Sequence, residues 1–122
     1  MTPVDVAEEV TAAVLVLSRH RIGAIILVEP NGTVEGGVEL DALVSRELLV
    51  AIFVPEYVNR LHRGAVVIRG DRVERAPVAL AWADVVGRSA EFAAGVAILV
   101  DTDTGEIRTA DRTGRVREHR SR

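Results

Sequence analysis

The residues able to do chemistry in this chain are few. Three acids, Asp101, Asp103 and Glu106, fall in the run VDTDTGEI and are spaced as a D-x-D-x-G pattern. Acids at that spacing can hold Ca²⁺, but the run is too short for an EF-hand, whose loop closes on a Glu at its twelfth position. Turn chemistry is the better reading, because Asp and Gly terminate strands and reverse the chain. The three histidines are His20, His62 and His119, and His20 and His119 stand among arginines where solvation is expected. Arg19-His20-Arg21 is a compact cationic triplet lying just before an apolar run. No G-x-S-x-G elbow, Walker A loop or H-E-x-x-H pair occurs. There is no Cys and no Lys, so a thiolate nucleophile, a thiolate zinc site, a disulfide scaffold, Schiff-base chemistry and a P-loop lysine are all excluded.

The elements that must position these residues follow from periodicity and turn signals. Thr2-Pro3 can open a helix. Val6, Val10, Ala13, Val14 and Leu17 continue it at helical spacing, which predicts a helix over 3–19. Ile22 to Val28 is an uninterrupted apolar run, as expected of a strand buried on both faces, and Pro30-Asn31-Gly32 ends it. Gly36-Gly37 is a second break. Ser45 is the expected N-cap of a short helix over 46–54, stopped by Pro55. Ala65–Ile68 turns at Gly70-Asp71 into Arg72–Leu80, and Gly95–Val100 turns at Thr102–Gly105 into Glu106–Ala110, giving two hairpins. Leu40, Leu43, Leu48, Leu49, Ile52 and Phe53 are expected in the core.

The chain has 122 residues, the size of one domain, and 48 % of them are apolar, enough to build a core and to exclude a disordered tail protein. No apolar run approaches the roughly 20 residues of a membrane span, and no signal-peptide pattern opens the chain. The expectation is a cytoplasmic protein. Charge is divided: residues 1–107 hold 9 Arg against 16 acids, whereas residues 108–122 hold 6 Arg against 2 acids. That basic end reads as a solvated terminus. Nucleic-acid binding is disfavoured, because the body is acidic.

The most informative stretch is Leu40 to Gly70, LDALVSRELLVAIFVPEYVNRLHRGAVVIRG. Together with IGAIILVE at 22–29, LHRGAVVIRGDRV at 61–73 and VDTDTGEI at 100–107, it resembles the diadenylate cyclase (DAC) domain family. That family includes the DNA-integrity scanning protein and its membrane-anchored relatives. The order and spacing agree over most of the chain. The resemblance implies an α/β fold, a single DAC-like domain over 1–122 with a central mixed β-sheet flanked by helices. It further implies an ATP substrate, a divalent metal (Mg or Mn) and self-association.

The departures from the family pattern are as informative. The family's Asp-Gly-Ala motif stands here as His62-Arg63-Gly64-Ala65, with Arg63 in place of the acid. The family's Arg-His-Arg phosphate grip is missing between Ala81 and Val100; Arg19-His20-Arg21 has the letters but precedes the first strand. The family's later Ser-Glu is Asp101-Thr102 here. Forming cyclic di-AMP requires each 3′-hydroxyl to attack the α-phosphate of the other ATP, with an acid to hold metal or activate the hydroxyl and with cations on the triphosphate. Arg stays protonated and can do neither job of the acid. By resemblance, His62, Arg63, Gly64, Ala65, Asp101 and Thr102 are the nucleotide-binding candidates, with no catalytic residue and no metal or other cofactor expected. Arg63 is either a solvated charge beside an abandoned pocket or a direct phosphate or carboxylate ligand. Gly64 serves close backbone approach, and Trp82 and Phe92 either plug the old pocket or form an interaction surface. The expected function is a catalytically inactive DAC-like module that binds an adenine nucleotide or a protein partner, including a second copy. The alternative is a diverged cyclase making cyclic di-AMP from two ATP.

Overall fold

The computed structural model describes residues 5–30, 36–54, 64–78, 82, 85, 95–110 and 116–119. Helix α1 runs over Val6–Arg19. Its N-cap is Asp5, whose carboxylate accepts from the Glu8 N–H at 3.1 Å. This corrects the expected start at Thr2-Pro3: the side chain that satisfies the free amides of the first turn is Asp5. Strand β1 (Ala24–Val28) follows, then β2 (Val38–Leu43) and helix α2 (Arg46–Phe53). Ser45 caps α2 as expected, accepting from the Leu48 N–H at 3.0 Å. The remaining strands are β3 (Ala65–Arg69), β4 (Arg72–Val78), β5 (Val96–Val100), β6 (Ile107–Ala110) and β7 (Val116–His119).

The strands form one mixed sheet in the order β2-β4-β3-β1-β5-β6-β7. β1 and β3 are parallel, with Ile26 opposite Val66, and every other pairing is antiparallel. Alternation sorts side chains to two faces. Ala24, Ile26, Val66, Ile68, Val73, Ala76, Val100 and Ile107 pack with Leu17, Leu49 and Phe53, so both helices cover the same face. Leu27, Ala65, Val67, Val78, Ala97 and Ala110 form a second cluster on the other face, joined by Val85 and the half-buried Trp82. β3 is buried at Ala65, Val66, Val67 and Ile68, which is why it reads as a continuous apolar run. Each fully buried Leu, Ile or Phe side chain contributes about 1.5–3 kcal/mol.

Three sequence expectations change. β2 was not anticipated, although VELDAL alternates apolar and polar residues. It is an edge strand with an irregular register between Glu39 and Ala42, and Asp41 has φ 47°. Leu40 and Leu43 are three apart on this strand, so alternation sends them to opposite faces: Leu43 is 46 % exposed rather than in the core, Leu40 and Leu48 are half-buried against the core, and Leu49, Ile52 and Phe53 are buried. The basic end is not wholly a solvated tail: residues 116–119 pair with β6 as the other edge strand. β4 is described to Val78, and the expected continuation to Leu80 lies outside the described residues, as does Phe92.

Candidate functional site

The topology brings the candidate residues to one end of the sheet. The parallel β1/β3 pairing sets the start of β1 beside the start of β3. The antiparallel pair Ala24–Val100 sets the end of β5 beside them. Gly64 and Ala65, which open β3, therefore share an end with Asp101 and Thr102, which leave β5. His62 and Arg63 lie outside the described residues.

Gly64 is fixed by close approach. A Cβ there would lie 2.6 Å from the Val78 carbonyl oxygen and 3.0 Å from Pro77 Cβ. Ala65 is fully buried and opposes Val78 across the β3/β4 pair. Neither residue offers a functional side chain, so their contribution is backbone placed at the sheet end.

Asp101 to Glu106 forms a tight turn. The Asp101 Oδ1 accepts from the Asp103 N–H at 2.8 Å and from the Thr104 N–H at 3.2 Å. The Asp101 N–H donates to the Glu106 carbonyl at 2.9 Å, and the Gly105 N–H to the Asp101 carbonyl at 2.8 Å. The amides of Asp103 and then Thr104 hold the Asp101 carboxyl below the usual aspartate range. The Asp101 carboxylate is thus used by the turn, in agreement with the turn reading of the D-x-D-x-G pattern. Thr102 is exposed, and its hydroxyl stands where a side chain on Gly23 would begin.

Two further residues hold the turn, and no motif marked them. Ser18, near the end of α1, is the one buried polar side chain among the described residues, and its hydroxyl donates to the Gly105 carbonyl. Gly105 has φ 73°, and a Cβ there would lie 2.5 Å from the Ser18 carbonyl oxygen. The signal was faint: a Ser on the apolar side of α1 and a Gly closing a turn 87 positions later. His20 is exposed, as expected.

Asp101 is the single carboxylate among the candidates, and its Oδ1 is already engaged by two amides. Among the described residues, no three His, Asp or Glu side chains gather to share an ion.

The fold is a one-sheet α/β domain in which the described candidates Gly64, Ala65, Asp101 and Thr102 lie at the end where two parallel strands start. The family model described as DisA bacterial checkpoint controller nucleotide-binding (DAC) matches residues 11–119, and the chain belongs to that family. It is similar to the cyclic di-AMP synthase CdaA of Bacillus subtilis, 32 % identical over 128 residues that cover 94 % of this chain and 46 % of the relative. It is also similar to a diadenylate cyclase of Listeria monocytogenes, 31 % identical over 115 residues, covering 88 % and 41 %. The chain spans less than half the length of these curated relatives. Among solved structures, a double mutant of DacA from Staphylococcus aureus superposes with a TM-score of 0.81 at 27 % identity, covering 95 % of this chain and 87 % of that one. A hypothetical membrane spanning protein from Bacillus cereus does so at 0.82 and 25 %, covering 97 % and 65 %. No helix among the described residues is long and apolar enough to cross a membrane.

Proposed function

We propose that this chain is a DAC domain that has lost the synthesis of cyclic di-AMP and serves as an adenine-nucleotide-binding, regulatory module, able to act through a protein partner or a second copy. One observation carries the reading: Arg63 immediately precedes Gly64 where the family pattern has an acid. The substitution puts a permanent cation where the reaction calls for a group that holds metal or accepts a proton. Loss of such a group lowers turnover by orders of magnitude. The absence of an Arg-His-Arg between Ala81 and Val100, and Asp101-Thr102 in place of Ser-Glu, support the same conclusion.

The placement of Gly64–Ala65 and Asp101–Thr102 at one sheet end supports nucleotide binding there. Arg63 can offer two parallel hydrogen bonds to a phosphate without a metal. The test is a product assay with ATP and Mg²⁺, Mn²⁺ or Co²⁺ at high protein concentration, paired with thermal-shift titrations of ATP, ADP and cyclic di-AMP. The expected result is no cyclic di-AMP and an EDTA-insensitive rise in melting temperature with nucleotide. Metal-dependent product that EDTA abolishes would overturn the loss of activity.

A further inference from the structure

We infer that Arg19 and Arg21, at the C-terminal end of α1, grip the polyphosphate of a nucleotide bound at the candidate site. The inference rests on the nucleotide-binding reading above and adds to it two residues that a linear motif comparison sets aside. Sequence order puts Arg19-His20-Arg21 before the first strand. In space, α1 ends beside the start of β1, at the sheet end where Gly64 and Thr102 lie.

The first observation is their pairing. Arg46, Arg69, Arg72 and Arg108 each have a carboxylate partner, and Arg75 donates to the Gly36 carbonyl. Arg19 and Arg21 are exposed, and neither guanidinium has a partner among the described residues. The second is their place. Arg21 Cγ lies 3.5 Å from where a Cβ on Gly105 would stand, so its stem runs along the turn that carries Asp101 and Thr102.

The third is the backbone of Arg21. The Arg21 N–H donates to the Ser18 carbonyl at 3.1 Å and the Ile22 N–H to the Leu17 carbonyl at 2.9 Å. This is the Schellman ending of a helix, with Arg21 at the left-handed position, φ 54°. Glycine suits that position and arginine is strained there. What arginine has and glycine lacks is a guanidinium, and here that group has no partner among the described residues. Strain of this kind is retained where a side chain has work to do.

The groups facing the pair must be counted. The helix C-terminus is partly negative, which favours cations there for purely structural reasons. The adjoining turn has Asp101, Asp103 and Glu106. Glu106 is paired with Arg108, and Asp101 stays anionic on the turn amides, so Asp101 and Asp103 stand beside the two guanidinium groups. The charges balance, and the case for phosphate rests on the exposed guanidinium forks, whose geometry matches phosphate oxygens.

The experiment is calorimetry on the full chain with ATP, inorganic tripolyphosphate and adenosine, at low salt and in 0.5 M salt. Arg21→Gly is the decisive variant, because relief of the positive φ should raise the melting temperature by about 3–6 °C. The same variant should weaken ATP and tripolyphosphate binding about five- to tenfold, with Arg19→Ala comparable. Adenosine affinity should not change, and high salt should erase most of the difference. A more stable Arg21→Gly that binds ATP as tightly as the parent, with Arg19→Ala also unchanged, overturns this inference and leaves the nucleotide reading intact. Tripolyphosphate binding that both variants weaken, without any binding of ATP, keeps the cation site and defeats the nucleotide reading. No binding of either anion by the parent defeats both.

Discussion

The two ends of the central strands differ in how their arginines are used. At the end where β1 and β3 finish, charge is satisfied inside the molecule. Arg69 pairs with Glu74 and donates to the Pro30 carbonyl at 2.8 Å, the Gly70 N–H donates to the Glu29 carboxylate, and Arg72 pairs with Asp71. The Val44 N–H closes on the Asp71 carbonyl at 2.8 Å, tying the entry of α2 to the β3/β4 turn. At the end where β1 and β3 begin, close approaches join a hydrogen-bonded turn: Gly64 lies under the Val78 carbonyl, Thr102 stands over Gly23, Ser18 donates to the Gly105 carbonyl, and Glu106 pairs with Arg108. Arg19 and Arg21 have no partner among the described residues. Ion pairing at one end serves to fix the fold. Close backbone approach occurs at both ends, at Gly95 against Val28 and at Gly64 against Val78. What distinguishes the second end is its two exposed cations, Arg19 and Arg21, without a partner among the described residues.

The comparison breaks first at glycine. Gly64→Ala pushes a Cβ into the Val78 carbonyl and should destabilise by about 2–4 kcal/mol. Gly70→Ala at the other end meets no atom within 4 Å and bears only the strain of φ 58°, about 1–2 kcal/mol. Urea unfolding of both variants checks this, and equal losses would remove the distinction between the crowded Gly64 and the open Gly70.

The next effect is at Ser18. Ser18→Ala removes the donor to the buried Gly105 carbonyl and should cost about 1–2 kcal/mol. In ¹⁵N–¹H spectra its shifts should centre on residues 101–106 and leave Arg69, Gly70 and Arg72 in place. Changes spread evenly over both ends would show that Ser18 is a general packing residue.

The smallest effect is electrostatic. The Asp101 carboxyl, stabilised as the anion by the Asp103 and Thr104 amides, should titrate below the ordinary Asp value of about 3.9. A depressed folded-state value means the turn's contribution is present above the ordinary value and is lost as pH falls through the lower, folded one. An NMR pH titration of Asp101 tests the sign, and a midpoint at or above the ordinary value would show that the turn does not form as described.

Much of the fold was readable residue by residue. The apolar runs over 22–28, 65–68 and 95–100 became β1, β3 and β5 because a strand covered on both faces has no polar alternation to hide. Ser45 was readable as a cap because a hydroxyl three positions before a free amide is a local interaction. The edge strands were not. β2 is half exposed and irregular in register, and β7 sits in a run of arginines that reads as solvated charge. Edge strands satisfy only one side of their hydrogen bonds and bury little, so composition carries a weak trace of them.

The sequence by itself determined the element types along the main runs, the turn at Asp101–Gly105, the family pattern and the departures at Arg63 and Asp101-Thr102. Those are short-range matters of backbone preference, side-chain capping and residue chemistry. Tertiary structure decided which strand ends meet, and with that the company kept by Gly64, Thr102, Ser18, Arg19 and Arg21. Strand order and parallel or antiparallel pairing are choices between segments dozens of residues apart. Alternation tells each strand which face is apolar but not which neighbour it will have or which end will adjoin another. A triplet out of place in the chain can therefore stand at the candidate site in the fold.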